Sequence, residues 1–124
     1  HAPQWRFSPD RLHIELGDSF QATNRGGELH SFTEVKHFGP SVVPPVNDLL
    51  HMHGAQPNAE CSAGFAAFNR DPAHNNPELT SFVLPGQSFT DTPAAPATEL
   101  YQCCIHPWMQ AVITIRQDKD DRTN

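Results

Sequence analysis

The sequence has few basic residues and no long apolar run, and both shortages exclude whole classes of protein. Lys and Arg number 8 against 14 Asp and Glu, so the formal net charge is -6. The basic residues are scattered, which argues against binding to the phosphate backbone of nucleic acids. No stretch approaches the roughly 18 consecutive apolar residues of a membrane-spanning helix. We therefore expect neither a nucleic-acid partner nor a membrane span.

Recognisable catalytic motifs are also missing. The sequence has no nucleophile motif, no phosphate-binding glycine loop and no paired carboxylates, so we do not expect an enzyme. A chain of 124 residues has the size of one domain, and we expect a single, monomeric domain over residues 1–124. The sequence begins at His1 rather than Met, so we expect a mature product of signal-peptide removal, located in the periplasm or secreted; a chain cut at another point would begin in the same way.

Proline and glycine, in contrast, are abundant. The 12 prolines and 7 glycines separate short runs rich in Thr, Val, Ile and Phe, a composition typical of strands joined by turns. The pattern predicts an all-β fold of seven or eight strands, arranged as a sandwich or barrel with Greek-key connections. The predicted strands are residues 4–9, 11–16, 19–24, 29–35, 78–84, 87–92, 99–103 and 111–117.

Residues 36–77 interrupt this pattern with Pro, Asn, His and Gly. A loop of that length inside a compact domain is unusual, so we expect a long insertion that carries some structure or covers a functional edge. Its only predicted helix is a short one over Asn58–Phe68. Residues 118–124 form a polar end, which we expect to be a flexible tail.

The segment YQCCIHPWM, residues 101–109, combines a thiol, an imidazole and a thioether in one loop between two predicted strands. Cys103, His106 and Met109 are spaced three residues apart, and together they favour copper over magnesium or calcium. A site with two imidazoles, one thiolate and a weak axial thioether requires a second histidine. His30 is the best candidate, because it lies on a predicted strand and shares a face with Phe32.

Strand alternation favours Cys103 rather than Cys104 as the metal ligand, because Tyr101 and Cys103 share one face. If Cys103 binds copper, Cys61 and Cys104 remain. These two either form a disulfide, which requires an oxidising compartment, or stay as free thiols.

The segment YQCCIHPWMQAVITI resembles the ligand loop of the cupredoxins, the blue-copper proteins, and its Cys-x-x-His-Pro-x-Met spacing is most similar to that of amicyanins. Plastocyanins and pseudoazurins have a longer gap before Met. The segment FSPDRLHIELGDSFQATN, followed by LHSF, resembles the first strands and the upstream histidine of the family. The resemblance implies a Greek-key β-sandwich that holds one type 1 copper ion through four ligands: His30, Cys103, His106 and Met109.

The same resemblance implies a function and a route for the electron. The function would be single-electron transfer between redox partners, with His106 as the electron exit through an apolar patch. The negative net charge favours partners with a basic docking face. Two residues depart from the family pattern: Ser31 stands where relatives usually have Asn, and Cys104 where they have Ser or Thr. In relatives these positions join the two ligand segments by hydrogen bonds, so the surroundings of the site are expected to differ here.

Other copper functions remain open. A protein that delivers or stores copper would use His1, or His51 and His53, besides the loop. An oxidase or reductase with a type 2 copper at His1 is a third hypothesis. Structural zinc is disfavoured, because it normally takes Cys and His without Met.

Overall fold

The computed structural model describes residues 7–117, which form eight strands and three helices. The strands are β1 (Arg11–Glu15), β2 (Phe20–Thr23), β3 (His30–Ser31), β4 (Thr33–Val35), β5 (Phe82–Val83), β6 (Ser88–Asp91), β7 (Ala97–Gln102) and β8 (Gln110–Arg116). The helices are α1 (Pro44–Leu49), α2 (Ala59–Arg70) and α3 (Pro77–Thr80). None of the helices in this part of the chain is both long and apolar enough to cross a bilayer.

The strands form one four-stranded and two two-stranded sheets. The larger sheet has the order β1-β8-β7-β4, in which β1 is parallel to β8 and the other pairs are antiparallel. β2 pairs with β6 and β3 with β5, both antiparallel. This mixed sandwich of eight short strands confirms the predicted all-β fold class.

An aromatic core lies where β2 and β6 pack against the larger sheet. Phe20 lies 5.5 Å from Tyr101 and 6.0 Å from Phe32, measured between ring centroids, and both pairs meet edge to face. Such geometry stabilises aromatic pairs beyond the apolar area that they bury. We call this group the sandwich core; its buried members are Phe20, Phe32, Tyr101, Ala111, Ile113 and Ile115.

The insertion between β4 and β5 is more helical than its sequence predicts. The predicted helix over residues 58–68 is confirmed as α2, but the expectation that it is the only helix is wrong. Both additional helices begin with proline in their first turn, where its missing N–H and restricted φ cost little. They span only 6 and 4 residues, too short to show a helical period. α3 also replaces the first half of the strand predicted over residues 78–84.

A second core lies between α2 and the sandwich. Its buried members, which we call the helix core, are Val35, Cys61, Phe68, Phe82 and Cys104. A disulfide joins Cys61 of α2 to Cys104, with the Cα atoms 5.5 Å apart. The pairing of these two cysteines is therefore confirmed over the alternative of free thiols. The bond attaches the insertion directly to the segment that follows β7.

The predicted strand over residues 29–35 is divided in two. β3 pairs with β5, whereas β4 pairs with β7, so the chain changes sheet at Phe32. The Phe32 N–H donates to the carbonyl of Ser81, at 2.8 Å. The predicted first strand is not found in residues 7–9, and its residues 4–6 lie outside the described part, as does the predicted tail over 118–124.

Candidate metal site

The loop between β7 and β8 is closed tightly by its own backbone. The Cys103 N–H donates to the carbonyl of Met109, and the Met109 N–H donates to the carbonyl of His106, each at 2.9 Å. The first bond continues the β7–β8 pairing past its last register pair, Gln102 with Gln110, and the second closes a turn within the loop. A seven-residue loop with such ends keeps its three predicted ligand residues close together.

His30 reaches the same point from β3. Its Nδ1 lies 3.2 Å from Nδ1 of His106 and 3.8 Å from Sγ of Cys103, and the distance from Sγ to Nδ1 of His106 is 3.7 Å. All three side chains are buried, and Cys103 is outside the disulfide. Among the His, Cys, Asp and Glu side chains of residues 7–117, those of His30, Cys103 and His106 form a group whose donor atoms are close enough together to hold one metal ion.

Met109 lies beside this cluster. It is buried, and together with His30 it lines a cavity of about 560 Å³ that also contacts strands β1, β2 and β8. The structure therefore gathers His30, Cys103 and His106 into one cluster. Met109 lies in the same loop as Cys103 and His106. His51 and His53 are exposed on the insertion, where His53 pairs with Asp48, and neither belongs to the cluster. His1 lies outside the described residues.

Ser31 connects the two segments that carry the cluster. Its backbone N–H donates to Cys103 Sγ at 3.3 Å, and its Oγ accepts the N–H of Cys104 at 2.7 Å. The Oγ also accepts a hydrogen bond from the Thr33 hydroxyl, at 2.9 Å. Ser31 is 1% exposed, so water does not compete for these bonds. The two residues that depart from the cupredoxin pattern thus still join the segments, through a serine hydroxyl and a backbone amide.

Burial is the main influence on the ionisation of the cluster. It lowers the pKa of His30 and of His106, while the charge of Glu28 acts in the opposite direction on both. The neighbouring His30 lowers the pKa of His106 further. Burial raises the pKa of the Cys103 thiol, against hydrogen bonds that favour the thiolate, among them those from Ser31. Neutral imidazoles are the form that binds metals, and a metal ion would favour the thiolate.

The turn Asn24–Glu28 is a part of the site that the motif analysis missed. Oε1 of Glu28 lies 3.8 Å from Nε2 of His106, and the Cα of Gly26 lies close to the other imidazole, since a Cβ there would be 3.4 Å from Nε2 of His30. In the sequence, only the place of this turn pointed to the site, because the turn directly precedes the strand that carries His30.

Trp108 also contacts the site. Its ring meets that of His106 edge to face, with centroids 5.4 Å apart.

The insertion also contacts the loop. The Ser41 hydroxyl donates to the carbonyl of Ile105 at 2.6 Å, and the Val42 N–H donates to the carbonyl of Cys104 at 2.8 Å. Asn47 of α1 holds Ser41 in turn, because its side-chain oxygen accepts the Ser41 N–H at 2.8 Å. With the disulfide, these bonds place the insertion against the side of the loop opposite the sandwich core.

Comparison with solved structures identifies the fold. A purple cupredoxin from Nitrosopumilus maritimus matches with a TM-score of 0.52 and 17% identity, over 89% of this chain and 81% of that chain. A reduced amicyanin variant matches with a TM-score of 0.51 and 17% identity, over 90% of this chain and 73% of that one. Another reduced amicyanin variant gives 0.52 and 16%, over 91% and 75%. The chain has the cupredoxin fold.

No protein-family model and no curated protein sequence matches the chain. At 16 to 17% identity, the likeness establishes the fold alone. In this cupredoxin fold the cluster lies where β3 meets the loop between β7 and β8. Its donors are two imidazoles and a thiol, with a thioether beside them, and this set fits a copper ion better than a hard cation.

Proposed function

We propose that this protein binds one copper ion through His30, Cys103, His106 and Met109 and carries single electrons between redox partners. The observation that carries the proposal is the convergence of two Nδ1 atoms and one Sγ within 4.8 Å of one another in a buried cluster. A bound copper ion would supply the one-electron couple Cu(I)/Cu(II). The cupredoxin fold and the thioether of Met109 beside the cluster support a type 1 site.

The residues of the chain would have distinct tasks in this function. Cys103 would give the thiolate bond, and His30 and His106 the two imidazoles. Ser31 holds the thiolate by its backbone N–H and fixes the two ligand segments relative to each other. Because the donor atoms are buried and already close together, the ligands need little rearrangement when the charge of the site changes. Electron transfer requires no substrate chemistry, so the proposed protein is not an enzyme.

Location and partner follow from charge and from the disulfide. A structural disulfide persists in oxidising compartments, and the Cys61–Cys104 bond therefore supports a periplasmic or secreted protein. With a net charge of -6, association is expected to be fastest with partners that present a basic face.

The test is to add Cu(II) to the metal-free protein and record the visible spectrum. We expect an intense thiolate-to-copper charge-transfer band at one copper per chain, and its loss in Cys103→Ala. The matched control is Cys61→Ala/Cys104→Ala, which removes the other two cysteines and should keep the band. Voltammetry should then show a reversible one-electron couple. A colourless copper complex, or a band that survives in Cys103→Ala, would contradict the proposal. A second tight copper ion lost in His51→Gln/His53→Gln would instead support copper delivery or storage.

A further inference from the structure

One turn lies against the outer edges of both imidazoles. The Nδ1 atoms of His30 and His106 face each other at 3.2 Å, so their Nε2 atoms point away from the centre of the cluster. Glu28 lies beside Nε2 of His106, and Gly26 lies against Nε2 of His30. A single segment of five residues therefore contacts the back of both rings, and it brings a carboxylate there.

A buried side chain holds this turn in place. Asn24 is 6% exposed, and its Nδ2 donates to the carbonyls of Glu28 and Val83, each at 2.7 Å. Its Oδ1 accepts the N–H of Gly26 at 2.9 Å. Asn24 thus connects the turn to β5, the strand that pairs with β3. The fold therefore fixes the backbone position from which the Glu28 side chain extends.

We propose that Glu28 is a tuning residue of the copper site, which stabilises the oxidised state relative to the reduced state and so lowers the reduction potential. The inference rests on the proposed copper function. Loss of one electron to the redox partner adds one positive charge to the site, and a nearby carboxylate favours the more positive state. The separation of 3.8 Å between Oε1 and Nε2 is too long for a hydrogen bond, so the interaction is mainly one of charge.

The expected effect is moderate. The Glu28 side chain is 57% exposed, so water and salt weaken its field at the site. Removing the charge should lower the affinity for Cu(II) relative to Cu(I) by about threefold to tenfold. At 59 mV per tenfold for a one-electron couple, this corresponds to a rise of the potential by about 30 to 60 mV.

The experiment compares three variants with the wild type by voltammetry and by competition titrations for Cu(I) and Cu(II). Glu28→Gln removes the charge at the site. Glu15→Gln removes the same charge beside Arg116, at the end of β8 far from the loop, and Glu28→Asp keeps the charge. We expect the potential to rise in Glu28→Gln and to stay near the wild-type value in Glu15→Gln, because charges that far from the site are screened, and in Glu28→Asp, which keeps the charge.

The outcomes separate this inference from the proposed function. If the wild type gives no charge-transfer band, the copper function itself fails. If the wild type is blue and Glu28→Gln has the same potential as Glu15→Gln, only the role of Glu28 is overturned. Loss of copper binding in Glu28→Gln also contradicts it, because a tuning carboxylate is not a ligand. A shift that shrinks at high salt supports it, since screening acts on exposed charge.

Discussion

The two cores of this protein lie on opposite faces of β7 and are built in different ways. Tyr101 belongs to the sandwich core, whereas its neighbour Leu100 packs against the helix core. Successive strand residues point to opposite faces, and the alternation continues into Cys103, in the candidate metal site, and Cys104, in the disulfide. The sandwich core consists of strand residues and of Phe32, which links β3 to β4, while the helix core needs a helix and a covalent bond.

The difference shows how one strand end serves two purposes. The face towards the sandwich carries the candidate metal ligand Cys103, and the opposite face anchors the insertion through Cys104. We infer that the sandwich core supports both stability and metal binding, whereas the helix core supports mainly stability.

The largest expected effect on stability comes from deleting one aromatic ring in each of the two cores. Phe20 and Phe68 are 6% and 8% exposed, so each change to Ala should lower the free energy of unfolding by about 3 to 5 kcal/mol. Only Phe20→Ala should also weaken copper binding, as measured by competition titration. Leu79→Ala is the control, because Leu79 is 79% exposed and should cost less than about 0.5 kcal/mol. Equal losses of copper affinity in both Phe variants would break the comparison.

The disulfide gives the next largest effect. It joins residues separated by 43 positions, and chain-entropy arguments give about 3 to 4 kcal/mol for a loop of this size. Cys61→Ala/Cys104→Ala should therefore unfold at lower denaturant concentration and still show the charge-transfer band. Loss of the band together with stability would mean that the helix core also holds the metal site.

Ser31→Ala should have a smaller effect on stability and a specific one on the site. The change removes the acceptor of the Cys104 N–H, a buried bond, so unfolding should become easier by about 1 to 3 kcal/mol. Since this bond joins the two ligand segments, the charge-transfer band should also shift. The control is Ser88→Ala, which loses an exposed hydroxyl pair with Thr23 and should leave the band unchanged. An unshifted band in Ser31→Ala would show that the bond does not shape the site.

The smallest effect expected is the pH dependence of the metal-free protein. Burial lowers the pKa of both site histidines below 6.5, so below that pH the unfolded state binds more protons and stability falls as the pH decreases. Burial raises the pKa of Cys103 above 9.0, so at higher pH the folded state holds the extra proton and stability falls as the pH rises. Denaturation of Cys103→Ala at several pH values should show the same loss of stability at acidic pH as the wild type, but a smaller loss of stability at alkaline pH. If the variant and the wild type lose the same stability at alkaline pH, the alkaline loss does not come from Cys103.

Local patterns were sufficient for much of the sandwich and for the ligand loop. Alternation placed β1, β2, β6, β7 and β8 within a few residues of their bounds. It is clearest in β8, where Ala111, Ile113 and Ile115 are buried and the residues between them are partly exposed. The same alternation assigned Cys103 and Cys104 to opposite faces. Short spacing brought Cys103, His106 and Met109 into one loop, since three-residue intervals next to a strand end leave them little room to separate.

Tertiary contacts decided the rest. The division of residues 29–35 at Phe32 depends on a bond to Ser81, which is distant in the sequence, and the helices α1 and α3 are too short for a periodic signal. The approach of Glu28 to His106 likewise has no local cause, because it requires β3 to lie beside the β7–β8 loop. The sequence by itself therefore determined which donors and strands this protein has, because those follow from residue type and nearest-neighbour alternation. Only the tertiary structure decided which carboxylate, hydroxyl and disulfide surround the site, because these contacts join residues that are far apart in the sequence, 73 positions in the case of Ser31 and Cys104.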